Sequence, residues 1–131
     1  MGMMTLEMID ACVDKNSDLT SYIVEGKFTA MQVIATIEAF HRAIPTKHVL
    51  LDFSATHVNH LQNFEIERIA NVVNKHAYTG NVVKTALVFS SDADFGLGRM
   101  FEALSQNGGV PQRIMSFHTA EEARKWLDAD Y

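Results

Sequence analysis

Three polar clusters follow three apolar runs in this chain. Asp52, Ser54 and Thr56 come with and after HVLLDF, Ser90, Ser91 and Asp92 follow KTALVF, and His118 and Thr119 follow RIMSF. Carboxylates, hydroxyls and an imidazole gathered beyond the carboxyl ends of strands are what an open α/β sheet offers a ligand. Behind the middle cluster, Gly96 and Gly98 stand in a helical pattern, where each costs about 1 kcal/mol relative to alanine. Such glycines answer either to close packing against a sheet, the commoner cause, or to the close approach of a ligand or partner. Arg99 follows directly, placed either to clamp an anionic group or to rest ion-paired on the surface, and the surface role is the more frequent.

The stretch KTALVFSSDADFGLGRMFEAL joins these features as strand, turn and glycine-bearing helix, the unit that presents backbone N–H groups to anions. It is neither a Walker A loop nor a dinucleotide fingerprint, because the lysine-serine pair of the first and the G-x-G-x-x-G spacing of the second are missing. Ser91 stands three residues before Asp94, a capping-box spacing, so its expected role is a helix cap. Asp52 reads as a strand-end hydrogen-bonding group, and no Ser-His-Asp or Cys-His arrangement follows from the spacing. His57, His60 and His76 occupy a loop and the helix after it with no carboxylate at fixed distance, so no metal site is expected.

These residues need a scaffold, and 131 residues suffice for one compact domain with a proper core. A composition 47% apolar with two prolines is that of a folded chain. The net charge of -5 argues against nucleic acid and anionic membranes as partners, since both reward clustered Lys and Arg. The lone Cys12 excludes an internal disulfide framework and fits a reducing cytoplasm. No apolar run reaches the roughly 18 residues of a membrane span, and the start MGMMTLEMID lacks the features of a signal peptide, so a soluble cytoplasmic protein is expected.

In chain order, residues 6–13 and 19–25 are strand-like runs around the turn formers Asp14-Lys15-Asn16-Ser17-Asp18, which predicts an antiparallel hairpin. Thr29 and Gln32 form a capping box ahead of a helix with Val33, Ile34, Ile37 and Phe40 on one face, closed by Pro45. With Met31, that face has apolar area to pack on a sheet, to dock another chain or to cover a lipid-sized cavity, the first being the ordinary case. Residues 48–53 read as a strand buried on both faces. The loop 54–63 leads to a second helix marked by Ile66, Ile69, Ala70 and Val73. A strand over 85–89 and a helix over 94–104 follow, the helix presenting Leu97, Met100, Phe101 and Leu104. Asn107-Gly108-Gly109 and Pro111 stop it. The last strand is 113–117, and Thr119 with Glu122 opens a final helix carrying Ala123, Trp126 and Leu127. The order ββαβαβαβα implies a mixed five-stranded α/β sheet that opens with the hairpin and continues in βα units.

That order, with LLDFSAT ending the third strand and RIMSFHTAEEARKWL closing the chain, resembles the STAS domain and its bacterial SpoIIAA-like group, whose folds are similar to CRAL-TRIO lipid-transfer domains. The resemblance implies a non-enzymatic regulatory domain that binds a protein partner around residues 91–99, without cofactor. The lipid-transfer kinship implies an alternative, a carrier for a small apolar ligand. In anti-sigma-factor antagonists a D-S-S-G-like motif carries the phosphoserine; the corresponding Asn59-His60-Leu61-Gln62-Asn63 has no serine, so only Ser54 or Ser91 remains for a phosphoswitch. The binding residues expected are Asp52, Ser54, Thr56, Ser90, Ser91, Gly96, Gly98 and Arg99. A homodimer through helix faces is a further expectation.

Overall fold

The computed structural model describes residues 9–43, 46–77, 82–106 and 113–129. Its elements are β1 (Ile9–Asp14), β2 (Leu19–Val24), α1 (Ala30–Arg42), β3 (His48–Asp52), α2 (Asn63–Ala77), β4 (Lys84–Val88), α3 (Asp92–Gln106), β5 (Arg113–Phe117) and α4 (Ala120–Asp128). The strand residues expected before Ile9, the stop at Pro45 and the Asn107-Gly108-Gly109-Pro111 segment lie outside the described residues.

The five strands form one mixed sheet in the order β1-β2-β3-β4-β5. β1 and β2 are antiparallel and the remaining neighbours are parallel. The hairpin turn is built by its acidic residues. The Asp14 Oδ1 accepts from the Asn16 amide at 3.0 Å, and Asp18 takes a left-handed backbone with φ of 51°, which short polar side chains tolerate best.

Caps set where the helices begin. Before α1 the box is complete: the Gln32 amide donates to the Thr29 hydroxyl at 3.2 Å and the Thr29 amide to the Gln32 side chain at 2.8 Å. Before α4 the box is incomplete, since the Glu122 carboxylate meets the Thr119 hydroxyl rather than its amide. α3 starts at Asp92, two residues earlier than expected. The Ser91 hydroxyl accepts from the Asp94 amide at 3.1 Å, but the Asp94 carboxylate has turned elsewhere, so this box too is half made.

Pleating sorts the core into two layers. Val24, Phe53, Leu87, Phe89 and Ile114 face the layer of α1, α2 and α3. Leu19, Leu50, Ala86 and Val88 face α4 through Ala123 and Leu127. Every residue of β4 is buried, as a central strand covered on both faces requires. Right-handed crossovers between neighbouring parallel strands place α1, α2 and α3 side by side on one face, and α4 lies across β3, β4 and β5 on the other. No helix among the described residues is long and apolar enough to cross a membrane.

Candidate functional site

The carboxyl ends of β3, β4 and β5 carry the polar residues singled out by sequence. β2 to β5 follow one another in sequence order. Strand order therefore never reverses among them, and no switch-point crevice opens there. Most of these polar groups are instead engaged with other partners. The Asp52 Oδ1 accepts from the Ser54 amide at 2.9 Å and from its hydroxyl at 2.6 Å. Thr56 donates to the Gly26 carbonyl, tying two loops together. Ser90 is exposed, and Ser91 caps α3. His118 pairs with Asp92 at 3.3 Å and stacks on Phe95 with ring centroids 4.1 Å apart. Among the described residues no hydrogen bond or ion pair joins the Asp52 and Ser54 pair to Ser90 or Ser91.

The two glycines part company. A side chain at Gly98 would lie 2.7 Å from the Ser116 Oγ and 2.8 Å from the Phe89 Cζ, so close packing of α3 on the sheet requires that glycine. Gly96 is exposed and faces open space. Arg99 is exposed, with its Nε 3.6 Å from the Glu102 Oε1. The other Glu102 oxygen accepts from the Ser116 amide at 2.8 Å, so the carboxylate bridges α3 and β5.

The histidines take separate partners. The His57 Nδ1 lies 3.1 Å from the Asp94 Oδ2, the His60 Nε2 2.7 Å from the Phe28 carbonyl and the His76 Nε2 3.1 Å from the Glu38 Oε1. No group of three or more metal-ligating side chains is assembled among the described residues.

A different feature occupies the centre. Between the sheet and the α1, α2, α3 layer lies a cavity of about 100 Å³. α1 supplies Val33, Ile37 and Phe40 to its wall, α2 supplies Ile69 and Val73, and α3 supplies Leu97 and Phe101. These are the apolar stripes read from the sequence, so the same periodicity that packs the helices also lines the cavity. Met31, on the same apolar reading, is instead 61% exposed. The sequence offers a cavity under the α1 face only as the less ordinary case; the gap arises where three helices meet one sheet face. Phe53 and Phe89 stack across its floor with centroids 5.6 Å apart and planes 4° from parallel.

Polar atoms in the wall come from Tyr22, Thr36, His41 and Thr85. His41, in the last turn of α1, stacks flat on His76 from α2 with centroids 4.3 Å apart. Burial, reinforced by His76 and opposed by Glu38, lowers the His41 pKa, so the ring is neutral at neutral pH. Burial likewise raises the pKa of Tyr22. No family model matches the chain, and no curated protein matches it.

Proposed function

We propose that this chain is a non-enzymatic binding domain that holds a small apolar ligand between its sheet and α1, α2 and α3. The observation that carries this is the apolar cavity, since interiors are normally packed without gaps of this size. Its volume bounds the guest. A cavity of roughly 150 Å³ accepts benzene, so about 100 Å³ bounds the guest at one small ring. A full acyl chain requires the helices to part. The STAS-like and SpoIIAA-like kinship is proposed with it, supported by the hairpin followed by βα units. Titration with toluene, followed by NMR shifts of the wall residues, should give saturable binding that Val73→Phe abolishes in a folded protein. Absence of saturable shifts in the native chain refutes the reading.

A second reading, a regulatory protein-interaction domain, is favoured by the first turns of α1 and α2. There Met31 and Phe64, the latter 55% exposed, present apolar side chains to solvent beside Arg68, whose Nη1 lies 4.0 Å from the Met31 Sδ. A second copy of the chain is the simplest partner. Sedimentation should show self-association that Met31→Glu with Phe64→Glu removes; a native protein monomeric at every concentration counts against it.

A further inference from the structure

The cavity wall is not uniformly apolar, and its polar atoms are not equally available. The Thr36 hydroxyl donates to the Gln32 carbonyl at 2.9 Å, and Thr85 has an interaction of its own. His41 meets only rings, His76 face to face and Phe40 edge-on at 5.0 Å between centroids, and neither of its nitrogens has a hydrogen-bond partner among the described residues. The same cavity is lined by Phe53, Phe89 and Phe101, aromatic walls that favour another ring in offset or edge-on contact.

We infer that the ligand is a single aromatic ring bearing one hydrogen-bonding group, seated with that group on the His41 imidazole. This rests on the cavity reading and adds the chemistry of one end. A neutral imidazole offers one N–H and one lone pair, so it serves a ring hydroxyl or ring N–H either way round. Without such a partner the polar group of the guest would be buried unpaired, a cost that sends it back to water. With it, the site distinguishes two guests of almost the same shape.

Phenol and toluene are the probes, one carrying a hydroxyl where the other has a methyl. Calorimetric or NMR titration of the full chain should show phenol binding about fivefold tighter than toluene, the scale of one net hydrogen bond. His41→Leu should reverse the order and His41→Gln should keep it. Thermal melts confirm which variants fold, and the comparison within the native chain stands even if one does not. Toluene binding as tightly as phenol in the native chain, or a preference that survives His41→Leu, overturns this inference and spares the cavity. Failure of both probes to bind overturns the cavity reading itself.

Discussion

The imidazole of His57, 67% exposed, lies with its Nδ1 3.1 Å from an Asp94 carboxylate that is 1% exposed. The same oxygen accepts the Val58 amide at 3.3 Å, so one buried side chain in the first turn of α3 holds the loop between β3 and α2. The burden falls on the backbone contact rather than on the exposed pair. Asp94→Ala should cost about 1–3 kcal/mol, the penalty for leaving a buried amide unpaired. His57→Ala should cost no more than about 1 kcal/mol, as exposed ion pairs do. Urea unfolding of both variants checks this, and equal losses would show that the loop is not held through Val58.

The glycines of α3, two residues apart and on opposite sides of one turn, give opposite predictions. Gly98→Ala drives a methyl group against the Phe89 ring and the Ser116 hydroxyl, and should destabilise by about 1–3 kcal/mol as overpacking does. Gly96→Ala meets nothing within 4 Å and should stabilise by about 0.5–1 kcal/mol through helix propensity. Thermal unfolding of the two variants is decisive. A destabilised Gly96→Ala would mean that something other than space governs that position.

Acid should weaken the fold through its half-buried histidines. Burial lowers the pKa of His41, helped by His76 and opposed by Glu38. Burial also lowers that of His48, helped by Lys84 and Lys47 and opposed by Asp18 and Asp128. The folded values lie below the unfolded ones, so as pH falls the unfolded chain takes up protons first. Stability is complete above the ordinary histidine range, is lost as pH drops through that range toward the folded values, and levels off below them. Melting temperatures between about pH 7.5 and about pH 5 should fall accordingly, and less steeply in His41→Leu. Parallel slopes for the two proteins would remove His41 from the account.

Elements declared themselves through local chemistry that needs no partner far away in sequence. Thr29 and Gln32 carry a whole cap within four residues, and the apolar run 85–89 reads directly as a strand, which β4 matches within one residue. Boundaries moved where tertiary contacts outbid local ones. α3 begins at Asp92 because Ser91 is its cap, while the Asp94 carboxylate, instead of closing a capping box, reaches a loop 36 residues earlier. Gly98 was legible as a packing glycine, whereas Ser90, Ser91 and Arg99 pointed to an end of the sheet whose topology opens no crevice. The His41 wall of the cavity escaped for one reason. An imidazole at the end of a helix looks like a surface group until the next helix brings His76 against it.

Lys84 is buried to 1% exposure at the start of β4, an expensive place for an ammonium group. Its Nζ donates to the Trp126 carbonyl at 2.7 Å and the Ala129 carbonyl at 2.8 Å, and sits 5.2 Å from the centroid of the Trp126 ring. The charge therefore lies against the negative end of α4, where helix carbonyls lack partners. Lys84→Met keeps the length and apolar stem but removes the charged donor from both carbonyls, leaving Trp126 with the Ala129 amide, and should cost about 1.5–3 kcal/mol, the range for hydrogen bonds to charged groups. It should act on α4 first. Trp126 is the only tryptophan, so its emission reports that helix alone, and a red shift preceding global unfolding in urea is the expected signature. Arg113 also lies over the Trp126 ring at 5.6 Å but is exposed, so Arg113→Ala should shift emission less. A Lys84→Met protein with native stability and unaltered Trp126 emission would show that α4 is docked by Ala123 and Leu127 without help from the buried charge.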